Sequence, residues 1–390
     1  MLDHRAISTL FAEDDLVQDY GFSWAVPPLP LVGNVPPSIF ASGPGHDRPK
    51  ALYIRLLRDR AANLLTVFDQ AADQFTSRCL ALDAFSWRDE LEDFTASFLF
   101  QWILGARPDT RDVRQVYNNI FTQFAVPITK HMPWSNYSRS LVSFERLLDF
   151  VKKAPEFRAI VAMAGDEGLH DEDAIAKQIT FLLGMNSFLG TQNLLKSIVG
   201  ELSLHPGLCA ELRKEIVAVV GSDPAKIELS SLGAMPLLDK TLREILRLHP
   251  PVFFIFGRAT RDRVIDSSSG TYAISKGELV MGVIPLAHLD DAVFPEPSTF
   301  NPERFSAPDA SQHLIWPRGL HDGFVSEHDR TCPGKDVAIL IAKLSCIALL
   351  PRFEWKLKES PRWDRKLFAL NVAAPMGPLD LEYFRRDKLR

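Results

Sequence analysis

The chain has 390 residues, of which 46% are hydrophobic and 24% charged, and its formal net charge is -5. This length can bury a substantial core, as one large domain or as two. Charges of both signs are interspersed, which argues against a dedicated nucleic-acid binder. The first residues lack a signal-peptide core, and the strongest apolar run, 337–350, is interrupted by Lys343 and too short for a membrane anchor. Four cysteines without CxxC or zinc-like spacing fit a reducing compartment, so a cytoplasmic location is expected.

The predicted elements in the first part of the chain are helices. Prolines make residues 27–37 a loop, because proline removes a hydrogen-bond donor and bars a helix. The long helix in the middle of the chain begins with three acidic residues, as a helix N-terminus prefers. Apolar periodicity predicts helices over roughly 50–75, 87–104, 109–124, 137–153, 171–204 and 232–248.

Strand patterns follow only after Pro250. They predict strands over 252–256, 263–266, 271–274 and 278–284, separated by Ser and Gly turns. The sequence shows neither a repeat nor a composition break that would divide it. It therefore predicts a single, mainly α (α+β) domain with a small sheet late in the chain.

Cys332 lies in the segment Arg330-Thr-Cys-Pro-Gly-Lys-Asp336, directly before the apolar run. Basic residues flank it, Gly334 permits close approach, and a helix N-terminus favours anions, so the segment suits a thiolate. A thiolate bound to haem iron pushes electron density onto the metal and favours breaking an O–O bond. For an isolated cysteine of this kind, however, a small buried hydrophobic residue is the more frequent role.

A second set of residues gives that cysteine its context. Glu244 and Arg247 stand at i and i+3 of a predicted helix, where they face the same side and can pair, and the carboxylate can also engage Arg304 in Asn301-Pro-Glu-Arg-Phe305. Alone, such a pair arises by chance on any charged helix. Its order and spacing with Arg304 and Cys332 make chance a poor explanation.

These three features together resemble the cytochrome P450 superfamily. The resemblance implies the P450 fold, haem b (iron protoporphyrin IX) as the cofactor, Cys332 as its metal ligand, and Glu244, Arg247 and Arg304 as a structural set. The resemblance begins at Met1, and this residue corresponds to a position well inside the sequence of a usual family member. Residues 1–390 are therefore expected to be a single haem domain that lacks the usual N-terminal anchor and first strands.

Two features of oxygen-activating members are missing from the sequence. Their haem loop reads Phe-x-x-Gly-x-Arg-x-Cys-x-Gly, whereas Val325 and His328 stand seven and four residues before Cys332. Their central helix carries an acid beside a threonine, which together deliver protons to dioxygen, but Thr191 has no acid beside it. Without such a proton relay, activation of dioxygen is handicapped.

The sequence is similar instead to the branch that contains allene oxide synthases, hydroperoxide lyases and epoxyalcohol synthases. That branch has an Asn-Ser/Thr-Phe-Gly-Gly-like element in the central helix, a Pro-Pro-Val and Tyr-Gly-Arg-Ala strand, and a haem loop with Trp and Gly well before Cys-x-Gly-Lys-Asp. The matching positions are 186–190, with one departure at Leu189, then 250–252, 256–259, Trp316, Gly319 and 332–336.

The resemblance also implies residues that hold the cofactor. Haem propionates are anionic and require cationic or donor partners. By analogy with the family, the partners are expected to be His46, Lys50, Arg258 and Arg330, with Gly334 beside the ligand. For each charged residue, a solvated surface position is the alternative.

The expected catalytic residues are Asn186 and Cys332. The Asn186 amide lies in an apolar helical window, where it needs a partner such as a peroxide oxygen or a water, unless it bonds to neighbouring backbone. Aromatic and aliphatic residues are expected to line a lipid-sized pocket, although a place in the core is equally plausible for them. They are Phe22, Phe188, Leu189, Phe253 and Phe254.

The activity implied is conversion of a polyunsaturated fatty acid hydroperoxide, with no reductase and no dioxygen. Homolytic cleavage of the O–O bond leaves an alkoxyl radical, which can give an allene oxide, aldehydes or an epoxyalcohol, and small barrier differences decide among them. The main alternative is a P450 monooxygenase that hydroxylates a small lipophilic substrate with dioxygen and an electron-transfer partner such as a ferredoxin. A haem-binding protein without turnover is the third possibility.

Overall fold

The computed structural model describes residues 4–7, 16–17, 38, 41–119, 129, 131–221, 227–306, 325–363, 375 and 377–386. The predicted loop 27–37 and the positions Phe22, Trp316 and Gly319 lie outside these residues. The α-helices are α1 (Pro44–Arg60), α2 (Leu64–Ala81), α3 (Trp87–Leu104), α4 (Thr110–Tyr117), α5 (Asn136–Lys153), α6 (Phe157–Asp166), α7 (Glu172–Phe181), α8 (Leu189–Leu204), α9 (Pro206–Val220), α10 (Pro236–Leu248), α11 (Ile284–Ala287) and α12 (Lys335–Leu349).

Three small antiparallel sheets accompany the helices. Strand β1 (Leu16–Val17) pairs with β2 (Phe254–Ala259), which pairs with β5 (Leu279–Val283). The hairpin β3 (Arg263–Ser267) and β4 (Gly270–Ile274) forms the second sheet, and β6 (Phe353–Leu357) with β7 (Leu381–Arg386) forms the third. The described N-terminal residues contribute the short strand β1. The expectation that the usual first strands are lacking stays a prediction.

Helix positions agree best with the sequence where caps mark both ends. The prediction over 87–104 coincides with α3, whose N-cap Ser86 accepts from the Arg88 amide and whose C-cap Gly105 has a φ of 70°. The prediction over 137–153 differs from α5 by one residue. The acidic start of the long helix is also confirmed, because the Asp171 carboxylate accepts from the amides of Asp173 and Ala174.

The predicted helix over 50–75 was wrong in its continuity, since α1 and α2 are separated by a 3₁₀ turn at Ala61–Asn63. The Trp102 indole donates to the Arg60 carbonyl at 2.9 Å, and the Leu64 amide bonds to Ala61 instead. An indole from α3 thus replaces the partner that a continuous helix would supply.

Two other predicted elements have different bounds. The helix predicted over 232–248 is a 3₁₀ turn at Leu229–Ala234 followed by α10, which begins at Pro236, a residue suited to a first helical position. The strand predicted over 252–256 starts later and ends at Ala259, because pairing with β5 and β1 continues beyond Phe256.

The helix predicted over 171–204 contains a π-helical segment at Leu182–Phe188, between α7 and α8. The Tyr117 ring packs directly on Gly184, and its hydroxyl donates to the Thr180 carbonyl at 2.7 Å. Single wide turns of this kind are frequent at functional sites. Tyr117 and Gly184 together explain how the central helix widens here.

A buried polar network joins the part of the central helix beyond this segment to its neighbours. The Lys196 ammonium donates to Glu92 and to Gln192, each at 2.6 Å, and both partners are buried. Asn118 links the other ends of the network, accepting from Gln192 and donating to Glu92. Burial lowers the pKa of Lys196, and Glu92 opposes that shift.

The main hydrophobic core lies around α3 and α8. It runs from Leu52 to Leu381 as one cluster and includes residues of nearly every helix named above. Among the helices in the described part of the chain, none is long and apolar enough to cross a membrane. The helical bulk therefore surrounds the two central helices, with the sheets at its margin.

We expect Gly184→Ala to destabilise the protein by about 1 to 3 kcal/mol, because a methyl group would overlap the Tyr117 ring. Gly190→Ala, in α8, is the matched control, since no atom of the described residues lies within 4 Å of its added Cβ apart from the helix's own backbone. Denaturant titration of both variants tests this expectation. Equal midpoints for the two variants would contradict it.

Candidate active site

Cys332 lies three residues before α12, and Gly334 is the N-cap of that helix. The residue is half-buried, and its thiol forms no disulfide. Burial raises the pKa of the thiol, whereas the Gly334 amide, Lys50 and Lys335 oppose the rise. These opposing influences all favour the thiolate, as a site for a metal-bound sulfur requires.

The other three cysteines have ordinary surroundings. Burial raises the pKa of Cys79 and Cys346 to about 12 and that of Cys209 to about 11. All three pack in or against the main core. They therefore remain neutral thiols near neutral pH and serve as small hydrophobic residues.

The chain before Cys332 lies against the start of α1. The Lys50 ammonium is buried, and it donates to the Asp329 carbonyl at 2.6 Å and to the Asp329 carboxylate at 2.7 Å. The Arg330 guanidinium donates to the Ala41 carbonyl at 2.9 Å and to the Ser42 hydroxyl at 3.1 Å. Two predicted propionate partners, Lys50 and Arg330, are thus brought together beside the cysteine.

His46, the third predicted partner, is buried in the same region. Its ring nitrogen lies 2.8 Å from the Asp47 carboxylate, and the other Asp47 oxygen lies 3.0 Å from the His328 ring. Burial lowers the pKa of His46, with Asp47 opposing. The hydrogen bond with Asp47 raises the pKa of the exposed His328.

Arg258, the fourth predicted partner, lies on β2 in a different part of the fold. Its side chain is exposed, and the guanidinium donates to the Gly277 carbonyl at 2.6 Å. Arg258, the residue predicted to bind a propionate, thus already binds the backbone of a turn next to β5. Its assignment stays a prediction.

Asn186 lies in the π-helical segment, and its side chain is exposed. Phe188, two residues further on in the same segment, is fully buried. Thr191, which an oxygen-activating mechanism would use, is buried and only 7% exposed. The accessible amide of this stretch is therefore that of Asn186.

The predicted pocket residues fall into two groups. Phe188 and Leu189 belong to the main hydrophobic core, which favours the core interpretation for both. Phe253 and Phe254 are half-buried at the start of β2, and their rings meet edge to face with centroids 6.2 Å apart. These two stay candidates for a pocket wall, while Phe22 lies outside the described residues.

Glu244 and Arg247 form an ion pair with both side chains at 0% exposure. The guanidinium donates to the two carboxylate oxygens at 2.7 and 2.8 Å, a bidentate arrangement. It also donates to the carbonyls of His288 and Pro297 at 2.8 Å. The predicted pair thus exists and joins α10 to the chain that follows β5.

Arg304 completes this set, as its sequence position predicts. Its Nε lies 3.4 Å from a Glu244 oxygen, and its other nitrogens donate to the carbonyls of Pro295 and Glu296. The same Glu244 oxygen accepts from the Asn301 amide at 2.8 Å. The Glu244 carboxylate therefore links α10 to the 3₁₀ turn at Pro302–Phe305 and to the residue directly before it.

Two residues near the cysteine were missed by sequence reasoning. Asp329 accepts from the Thr331 amide at 2.7 Å and from the Ser326 amide at 2.9 Å, besides its bonds with Lys50. Asp47 accepts from two histidines of different segments. An acid directly before the Arg-x-Cys motif was the available signal for Asp329, whereas nothing in the pattern marked Asp47.

Comparison with known proteins gives a consistent result. The family model described as Cytochrome P450 matches residues 144–381. A chloroplastic allene oxide synthase of Oryza sativa subsp. japonica is 32% identical over 54% of this chain and 41% of its own length, and a chloroplastic fatty acid hydroperoxide lyase of Solanum lycopersicum is 31% identical over 54% and 45%. The matched regions thus span less than half of either relative.

The fold is likewise similar to solved structures. A retinoic acid-bound cyanobacterial CYP120A1 superposes with a TM-score of 0.76 over 98% of this chain and 87% of that one, at 20% identity. The fold class predicted from the sequence is therefore confirmed.

The residues around Cys332 suit haem, the cofactor of this family. Among the described residues, no group of three or more His, Cys, Asp or Glu side chains is placed to hold a metal ion. Cys332 instead offers one thiolate at a helix start, beside the cationic groups of Lys50 and Arg330. A single soft ligand with cations nearby fits an iron whose other ligands come from an anionic porphyrin.

We expect Arg247→Met to lower stability by about 3 to 5 kcal/mol, because it leaves Glu244 buried without its partner. Lys153→Ala is the control: Lys153 pairs with Asp149 on an exposed helix face, where the loss is about 0.5 kcal/mol at most. Thermal unfolding and haem content of both variants provide the measurement. Similar losses of stability in both variants would contradict the larger contribution expected from the buried pair.

Proposed function

Because the chain belongs to the cytochrome P450 family, we propose that it is a haem-thiolate enzyme that rearranges or cleaves a polyunsaturated fatty acid hydroperoxide. The observation that carries the proposal is the central helix, where an exposed Asn186 stands on a π-helical turn and Thr191 is buried with no acid beside it. The similarity to the rice and tomato enzymes supports the same reading.

Cys332 is proposed as the axial ligand, and His46, Lys50, Arg258 and Arg330 are proposed as the residues that hold the propionates. When bound, thiolate-ligated haem supplies the electron density that favours cleavage of the substrate's O–O bond. Gly334 has no side chain and therefore leaves room beside the Cys332 sulfur. Lys50, which also bonds to Asp329, lies in the same region as His46 and Arg330.

Asn186 is proposed to orient the hydroperoxide group. Its carboxamide N–H donates to a peroxide oxygen and its carbonyl accepts from the terminal O–H, so one side chain satisfies both. An amide has no acidic proton to deliver near neutral pH, which suits cleavage within the substrate better than stepwise protonation of dioxygen. Phe253 and Phe254 are proposed to contact the lipid chain.

No external oxidant or reductant is needed for the products considered. An allene oxide is the hydroperoxide less one water, whereas an epoxyalcohol or a pair of aldehydes contains all its atoms. An electron-transfer partner is therefore not part of the proposal. The choice among products depends on small barrier differences, where about 1.4 kcal/mol changes a ratio tenfold.

We also propose that residues 1–390 form a single haem domain. The continuity of the main hydrophobic cluster from Leu52 to Leu381 supports this organisation. The cytoplasmic location stays a prediction, and the rice and tomato relatives are chloroplastic by name.

Incubation of the ferric holoenzyme with fatty acid hydroperoxides of several lengths and positions, without dioxygen and without NAD(P)H, tests the proposed activity. We expect the hydroperoxide to be consumed and rearranged products to form, with Cys332→Ala losing both turnover and the thiolate-type spectrum of the carbon monoxide complex. Product formation only with reductant and dioxygen would favour the monooxygenase. A haem spectrum without any turnover would favour a binding protein.

Asn186→Ala is expected to reduce kcat/KM for the hydroperoxide by about 10-fold to 100-fold, the loss of a strong hydrogen bond in the transition state. Haem binding and the carbon monoxide spectrum should be unchanged. Asn136→Ala removes an exposed amide at the start of α5 and serves as the control. Equal kinetics for both variants would remove Asn186 from the mechanism.

A further inference from the structure

Tyr117, the last residue of α4, contacts the central helix where its wide turn begins. The Tyr117 ring lies where a Cβ on Gly184 would stand, and the hydroxyl donates to the Thr180 carbonyl at 2.7 Å. Tyr117 is only 1% exposed, so this donor is closed off from bulk water. Thr180 lies two residues before the π-helical segment and Gly184 lies within it, so one side chain spans the place where the helix widens.

Two hydroxyl groups enter the backbone hydrogen bonds of the central helix here. The Thr180 hydroxyl donates back to the Ala176 carbonyl at 2.7 Å, and the Tyr117 hydroxyl binds the Thr180 carbonyl. Side chains that insert into this ladder cause helix irregularity. Further on, the Leu189 amide bonds to the Gly184 carbonyl, five residues back. A carbonyl with a second donor loses less when its amide bond lengthens, so the Tyr117 hydroxyl favours the wide turn over a regular helix.

Helix α4 is itself fixed to α5. The Arg146 guanidinium donates to the buried Asp112 carboxylate, with its Nε at 2.8 Å. The buried Ser140 hydroxyl donates to the Gln115 carbonyl at 2.9 Å. Tyr117 therefore contacts the central helix from a pair of joined helices rather than from an isolated turn.

Asn118, the residue after Tyr117, makes a second contact beyond the wide turn. Its side-chain oxygen accepts from Gln192 at 3.2 Å, and its amide donates to Glu92 at 3.0 Å. Asn118 is exposed, whereas Gln192 and Glu92 are buried, so this contact closes the edge of the buried network. Two consecutive residues thus bind the central helix on both sides of the segment that carries Asn186.

We propose that Tyr117 is a positioning residue, which keeps the turn at Leu182–Phe188 wide and thereby holds the Asn186 amide in place for the hydroperoxide group. Asn118 supports the same turn from its other side. The inference rests on the role given to Asn186 in the proposed function. It assigns Tyr117 no contact with the substrate, because its hydroxyl acts through the helix backbone. Burial raises the pKa of Tyr117, so the hydroxyl stays a donor near neutral pH.

Hydrogen exchange of the holoprotein tests whether Tyr117 holds the turn. Tyr117→Phe keeps the ring and removes only the hydroxyl. We expect the amides of residues 182–189 to exchange about fivefold to tenfold faster, the effect of one buried hydrogen bond on local opening. The amides of α12 should keep their wild-type rates. Unchanged rates at 182–189 would overturn the inference.

Tyr53→Phe is the matched control. Tyr53 is also buried, and its hydroxyl donates to the carbonyl and side chain of Gln178, in the same helix but ahead of the wide turn. We expect this variant to lower the midpoint of denaturant unfolding and to leave kcat/KM unchanged. Equal losses of turnover in Tyr53→Phe and Tyr117→Phe would leave Tyr117 with a general stabilising role only, against the inference.

A double-mutant cycle with linoleic acid hydroperoxide tests the link to Asn186. We expect Tyr117→Phe to lower kcat/KM about threefold to tenfold in the otherwise wild-type protein but less than about twofold in the Asn186→Ala background, where no amide is left to position. Haem content and the carbon monoxide spectrum should be the same in all four proteins. Equal factors in the two backgrounds would show that Tyr117 does not act through Asn186.

Two further outcomes are decisive as well. If Tyr117→Phe does not fold, Asn118→Ala, which changes an exposed residue, takes its place: faster exchange at 182–189 would support the inference, and wild-type rates would overturn it. If the hydroperoxide is not consumed, or if Asn186→Ala has wild-type kinetics, the proposed function fails at that point. The exchange measurement then decides by itself whether Tyr117 holds the wide turn.

Discussion

The rest of the fold depends on a pair of opposite charges removed from water, Glu244 and Arg247. Such a pair is stable only when every remaining donor and lone pair finds a partner, and here the partners are backbone groups of the segment between α11 and the turn at Pro302–Phe305. The requirement to satisfy these charges therefore determines the path of an irregular segment. Helix α10, which carries the pair, is tied to α12 by the bond of Lys343 with Asp239 at 2.7 Å.

A common device recurs in this fold: one carboxylate binds two segments that are distant in sequence. Glu244 joins α10 to Asn301 and Arg304, and Asp329 joins α1 to the turn before the ligand. A carboxylate has four lone-pair sites and no donor, so it can receive several N–H groups at once. Irregular stretches of the chain are thereby fixed in place without regular secondary structure.

Sequence reasoning succeeded where the governing interaction is local. Caps at Ser86 and Gly105 delimit α3, and the i, i+3 spacing of Glu244 and Arg247 places both on one helix face. It failed where the partner is far along the chain. The break after Arg60 depends on Trp102, 42 residues away, and the contact of Lys50 with Asp329 joins residues 279 positions apart, which no local pattern marks.

The wide turn at Leu182–Phe188 also acts as a change of phase in the central helix. One additional residue in a turn rotates everything beyond it by about 100° relative to a regular helix. The face that presents Gln192 and Lys196 to Glu92 is therefore set by the same wide turn that carries Asn186. The exposure of Asn186 and the buried lysine network therefore both depend on one angular offset, so a change that removed the wide turn would alter both.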